Sequence, residues 1–386
     1  MAEGLMPDIS PDALLRFCES QRDWLLDVVE RLVRLESPTP DKSAVDKCGV
    51  ELRRLMTEIG GRVQPQPRET AGDHLLAEFG CGTDQILLLG HFDTVWPVGQ
   101  IAKMPFQLVD GRLHGPGVFD MKAGIAMGLL AMRALLEGET AVQHRVVMLW
   151  TSDEETGSAT SRALVEEEAR RSRAVLVLEP ALPGGALKTT RKGCGTFQLI
   201  VRGRAAHAGV DPGKGASAIH ELAHQILALQ ALQDLDRGVS VNVGTIAGGS
   251  RSNVVADTAR AVIDVRAPTR QDAERLEHKF LELRPQTDGT TVEISGGFDR
   301  PPFERNAGVI RLYTQACVVA RSLGQDLAEG STGGGSDGNF TAALGVPTLD
   351  GLGAVGDGAH ANHEHVDVNS LAWRAALVAG LIASLP

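Results

Sequence analysis

Short apolar runs bounded by polar, glycine-rich turns recur through the first half of the chain and alternate with stretches of helical period. Gln85 to Leu89, Arg145 to Trp150 and Ala174 to Leu178 read as strands of the buried type, because consecutive apolar positions need cover on both faces. Pro11 to Leu35 reads as a charged amphipathic helix capped by Ser10, and Met121 to Leu136 as a helix that follows Asp120 directly. The alternation predicts an α/β fold with a mainly parallel sheet.

Around Gly193 the pattern changes. Thr196 to Val201 reads as a strand and Ala216 to Leu232 as a helix. Val239 to Ile246 and Ala259 to Arg266 follow as strands, Gln271 to Leu283 as a helix and Thr291 to Ser295 as a strand. This order describes a compact ferredoxin-like α+β sandwich. Helix and strand signals resume near Pro301. The chain therefore divides on paper into a first part of a catalytic domain (1–192), an inserted domain (193–300) and the segment that completes the first domain (301–386). A length of 386 residues also favours two domains over one core.

Composition narrows the partners. With 38 basic against 49 acidic residues the net charge is -11, and no clustered basic face is present to meet nucleic acid. The first residues lack a basic start followed by an apolar run, and no later stretch is long enough to span a bilayer. Cys18, Cys48, Cys81, Cys194 and Cys317 are odd in number and scattered, which suits a reducing, cytoplasmic setting better than a disulfide framework.

Five segments carry the candidate chemistry, and most follow a predicted strand: GHFDTV (His91, Asp93), GPGVFDMK (Asp120), TSDEETGS (Glu154, Glu155), VLEP (Glu179) and GDGAH (His360). The carboxyl ends of strands are where sites assemble in open α/β sheets. Two imidazoles and three carboxylates around a shared carboxylate suit borderline ions such as zinc and leave a position for water, so the set reads as a two-metal hydrolase. Each segment has a plainer reading: Glu154 and Glu155 as a solvated acidic loop, Asp120 as a helix N-cap, Glu179 as a turn residue before Pro180, and His363 or His365 competing with His360.

In this order the motifs resemble the zinc aminoacylase and carboxypeptidase family that includes glutamate carboxypeptidase, acetylornithine deacetylase and succinyl-diaminopimelate desuccinylase. The likeness runs from about Leu25 to the end. GRAAHAG, STGGGSDGNF and LEP favour the glutamate carboxypeptidase branch. The resemblance implies that His91 and Glu179 hold one divalent ion, Glu155 and His360 a second, with Asp120 bridging; zinc is expected, and cobalt or manganese fits the same donors. It further implies that Glu154 is the general base and that Asp93 accepts the second N–H of His91. His207 would be lent by a partner subunit of a homodimer to stabilise the oxyanion. Arg266, assisted by Asn253, would clamp the carboxylate of a small amide substrate, and the backbone at Gly335 would contact it. Lys188 and Lys192 have no assignment. The expected reaction is amide hydrolysis releasing a C-terminal amino acid.

Two other readings compete. His220, Glu221 and His224 spell HELAH, the single-zinc HExxH signature, but the continuation with a third His is absent after Gln225, and Ile219, Leu222, Ala223, Ile226 and Leu227 supply a packing face that favours a structural helix. A catalytically inactive dimeric metal-binding protein would also keep the fold; an intact Glu154 argues against it.

Overall fold

The computed structural model describes residues 11–138 and 144–385. The chain divides into two compact units: Met1–Thr190 with Arg305–Thr332 and Ser336–Pro386, and Arg191–Glu304 with Gly333–Gly335.

The larger unit is built on a six-stranded sheet in the order Arg62–Gln66, His74–Phe79, Arg145–Thr151, Gln85–His91, Ser172–Val177, Thr348–Leu349. The last three pairings are parallel and the first two antiparallel. Gln85–His91 is buried at every position, as its unbroken apolar run requires. Helices Ala123–Glu137 and Val368–Ser384 supply much of the cover, and nearly all their apolar side chains are inaccessible. The single helix expected from Pro11 to Leu35 is two, Pro11–Ser20 and Arg22–Arg34, separated at Gln21. The expected cap Ser10 lies outside the described residues.

Helix Ala123–Glu137 runs tight against the chain that leads into Glu179. A Cβ on Gly124 would lie 2.2 Å from the carbonyl oxygen of Leu178, so only glycine permits this approach. The same contact brings the Asp120 end of the helix beside the Glu179 strand end.

The smaller unit is a four-stranded antiparallel sheet ordered Ser240–Gly248, Thr258–Ala267, Gly193–Arg202, Thr291–Arg300. Helices Ala218–Gln230 and Arg270–Leu281 complete a strand–helix–strand–strand–helix–strand order. Its core is separate, centred on Phe197, Leu199, Ile263, Leu276 and Phe280. Among the described residues no helix is long and apolar enough to cross a membrane.

Candidate metal centre and substrate residues

Three of the five candidate ligands stand where a strand of the six-stranded sheet or its following loop ends. His91 is the last residue of its strand, Glu155 lies in the short turn Glu154–Thr156 after Arg145–Thr151, and Glu179 follows Ser172–Val177. Asp120 comes just before helix Ala123–Glu137, with extended backbone (φ -116°, ψ 93°). It does not cap that helix, which has no side-chain cap; its carboxylate instead meets two imidazoles.

Those contacts divide cleanly between the two oxygens. Asp120 Oδ1 is 3.1 Å from His91 Nε2, which is 3.4 Å from Glu179 Oε1. Asp120 Oδ2 is 3.3 Å from His360 Nε2, which lies 3.1 Å from Glu155 Oε2. Two groups that could hold a metal ion result, His91–Asp120–Glu179 and Asp120–Glu155–His360. The donor set, two imidazole nitrogens and three carboxylates, fits two hard-to-borderline dications.

The electrostatics agree. Burial works against a charged His91, yet hydrogen bonds to Asp120, Asp93 and Glu179 hold it well above its ordinary value. Hydrogen bonds to Asp120 and Glu155 raise His360 to about 10. Asp120 itself is held below its usual range, because the two imidazoles outweigh its burial. Burial pushes Glu155 up. Three carboxylates crowded against two imidazoles make a site of excess negative charge, which cations would compensate.

Two of the plainer readings do not fit this geometry. The Glu155 side chain is only 7% exposed, so its loop is not a solvated acidic one. His363 is largely exposed and 4.0 Å from Asp357, and the His365 ring lies against His114 at 5.3 Å between centroids. His360 alone of the three joins the ligand groups, from a left-handed backbone conformation (φ 61°) that a non-glycine residue adopts only when its surroundings impose it.

Asp93 does more than the sequence suggested. His91 Nδ1 is 3.0 Å from the Asp93 backbone carbonyl and 3.4 Å from its carboxylate. The carboxylate, fully buried, also accepts from Thr39 Oγ1 at 2.7 Å and from the backbone N–H groups of Glu154 and Glu155. It therefore fixes the loop carrying the candidate base as well as the imidazole. Asp337 of the glycine run supports the same loop, accepting from Thr151 Oγ1 at 3.0 Å and from Ser158 Oγ. Sequence reasoning missed that role, and it missed Glu364 altogether. Glu364 is fully buried and accepts four N–H groups around the Asp120 loop, although desolvation pushes it up to about 7.

In the smaller unit His207 and Asn253 come together: their segments form a β-bridge, with Ala208 N donating to Asn253 O at 3.0 Å, and both side chains are exposed. Arg266 does not join them. The strand Thr258–Ala267 starts just after Asn253 and carries Arg266 at its far end, opposite Cys194, roughly 26 Å away at ~3.3 Å per residue. The expectation that Asn253 assists Arg266 therefore fails within one chain. Arg266 is also engaged, with Nε and Nη2 on the two oxygens of Asp264 at 2.9 and 2.7 Å and Nη1 on Cys194 Sγ. Gly335 sits at this same end, where a Cβ would come within 2.6 Å of Arg300 Cδ.

The HELAH segment is not a metal site. Glu221 is fully buried and accepts from the backbone N–H groups of Gln286 and Thr287, while His220 and His224 face solvent on the other side of the helix. The expected packing face is also revised: Leu222 and Ile226 pack on the sheet, whereas Ile219, Ala223 and Leu227 are exposed.

The model of peptidase family M20/M25/M40 matches residues 87–384. The chain belongs to this family. The M20/M25/M40 peptidase is 29% identical to carboxypeptidase G2 of Pseudomonas sp. strain RS-16, covering 97% of this chain and 92% of that protein. It is 27% identical to a succinyl-diaminopimelate desuccinylase of Thioalkalivibrio sulfidiphilus, with 93% and 98% covered. The solved aminopeptidase PepT of Bacillus cereus superposes with a TM-score of 0.78 at 26% identity, covering 94% of this chain and 98% of that one. Family membership makes the peptidase a hydrolase.

Proposed function

We propose that this M20/M25/M40 peptidase hydrolyses the amide bond of a small substrate bearing a free carboxylate, releasing a C-terminal amino acid, with two divalent ions and Glu154 as general base. The division of Asp120 between two ligand groups carries the reading, since a carboxylate with one oxygen toward each group is placed to bridge. His91 and Glu179 would hold one ion, Glu155 and His360 the other; zinc is the first choice, with cobalt or manganese also suited. Bound ions would supply a water of lowered pKa and a polarised carbonyl. Glu154, on the turn that Asp93 fixes, would take the proton from the attacking water and return it to the leaving amine. Carboxypeptidase G2 and the desuccinylases support a carboxylate-bearing amide as substrate. The five free cysteines support a reducing, cytoplasmic setting.

The site would be completed in a homodimer, the inserted domain serving as lid and dimerisation element. His207 is exposed in a unit that holds none of the candidate ligands, and a donor aimed at the oxyanion is worth ~3 kcal/mol. An exposed apolar stripe on helix Ala218–Gln230, with Ile246 exposed on the edge strand Ser240–Gly248, offers the self-complementary surface a two-fold needs. Arg266 from one chain with His207 and Asn253 from the other would then flank a single substrate. Metal analysis of active protein after dialysis tests the core of the reading: about two ions per chain are expected, and active protein holding only one would overturn it.

A further inference from the structure

Glu364 lies four residues after His360, in the turn that returns to strand His365–Asp367. Its Oε1 accepts from the backbone N–H groups of Phe119 and Asp120 at 2.9 and 3.1 Å. Its Oε2 accepts from Gly117 N at 2.9 Å and from Trp96 Nε1 at 2.8 Å. One buried carboxylate thus ties together three segments: its own His360 loop, the loop presenting Asp120, and the chain that continues from His91 and Asp93 to Trp96.

All four donors are N–H groups, two on each oxygen. Such a site can be filled only by a group that accepts everywhere and donates nowhere, which is an ionised carboxylate. Glutamine has the same shape but the wrong chemistry. Whichever way it turned, its NH2 would confront two N–H groups, either those of Phe119 and Asp120 or those of Gly117 and Trp96. Either pair of buried donors left unmatched would move, and with it the Gly117–Asp120 segment to which three of the four belong.

We infer that Glu364 is a positioning residue for the candidate metal centre: it sets the backbone from which the shared Asp120 carboxylate reaches both ligand groups, and it locks the His360 loop to the same frame. The inference rests on the two-ion reading above. Partners standing behind ligands typically change metal affinity or activity by about 10- to 100-fold when removed, and Glu364 stands behind the one ligand that both sites share.

The experiment uses metal-free full-length protein and zinc titration by calorimetry, together with steady-state kinetics and hydrogen exchange. Wild-type stoichiometry tests the two-ion reading separately, whatever the variant does. For Glu364→Gln, both zinc steps are expected to weaken by about 10-fold or more, and kcat to fall by a similar factor while KM stays within about twofold. Exchange across residues 115–122 of the metal-free variant should quicken while helix Ala123–Glu137 stays protected. A purely structural role would instead lower protection throughout and leave zinc affinity unchanged; that result, or a folded variant with wild-type affinity and kcat, overturns the inference. Should Glu364→Gln fail to fold, Trp96→Phe removes one donor and keeps the carboxylate. It should weaken zinc about two- to fivefold, by the loss of a fraction of the same support, and wild-type affinity in Trp96→Phe would equally overturn it.

Discussion

The two units hold their candidate residues in opposite ways. In the larger unit five candidate ligands and the candidate base come from strand ends and loops that are braced from behind by the buried carboxylates of Asp93, Asp337 and Glu364. In the smaller unit His207 and Asn253 lie exposed on a bridged pair of loops, and Arg266 sits at the other end of the sheet beside Asp264. The first set is preorganised within one chain. The second has exposed groups that could gain their purpose from another surface, which is why a partner subunit enters the proposal.

The sharpest break in this comparison is at the base. Glu154→Gln should cut kcat by about 10²- to 10⁴-fold with metal content unchanged, as loss of a positioned proton acceptor does. Near-normal turnover would mean that the braced loop carries no catalytic proton.

Next comes the exposed set. His207→Ala and Glu154→Gln chains should each be nearly inactive alone, yet regain activity when mixed. If sites are completed across a two-fold, random mixing yields up to about a quarter of wild-type turnover, since about half the dimers are mixed and each has one intact site of two. Failure to recover, with heterodimers confirmed by native mass measurement, would place His207 within its own chain or outside the reaction.

Arg266 divides the smaller unit further. Arg266→Lys should raise KM about tenfold with little change in kcat if the guanidinium leaves Asp264 to meet a substrate carboxylate. An unchanged KM, with a lower melting temperature, would make the Asp264 pair purely structural.

Smaller effects should fall on stability alone. Glu221→Gln keeps an amide oxygen for the N–H groups of Gln286 and Thr287, which share Oε2, but sets its NH2 against Gln225 Nε2, and should cost about 1–3 kcal/mol without changing turnover. Inactivation without unfolding would revive the HExxH reading.

The weakest expected effect is a pH dependence behind the Glu154 loop. His74 is buried against Ser152 and Thr160, and desolvation holds its imidazole below the ordinary 6.5. The unfolded chain therefore takes up this proton at higher pH than the folded one. Stability is intact above about 6.5 and is lost as pH falls from there toward the folded value. Metal-free wild-type protein should lose melting temperature more steeply below that point than His74→Gln; equal slopes would remove His74 as the cause.

Three of the five candidate ligands that the structure gathers were legible in the sequence because each lies within a few positions of a strand whose apolar run announces it. His91, Glu155 and Glu179 needed only the rule that sites gather at strand ends. Glu364 was not legible: it sits among His360, His363 and His365, where a carboxylate between histidines reads as one more polar loop residue. Its partners Trp96 and Gly117 are more than 240 positions away in the chain. The face of the HELAH helix was misread for a related reason, since periodicity gives the existence of an apolar stripe but not which stripe meets the sheet when apolar residues lie on two sides.

What the sequence determined by itself is local: strand and helix runs, the βαββαβ order of the inserted unit, and the identity of groups able to bind metal or move a proton. Short-range periodicity and side-chain chemistry suffice for these. Tertiary structure alone decided which oxygen of Asp120 faces which imidazole, that Arg266 and Asn253 stand at opposite ends of one sheet, and that Glu364 gathers four N–H groups from distant loops. Such relations depend on sheet order, register and burial, because a buried carboxylate must find its donors wherever packing brings them, and no local pattern records where that is.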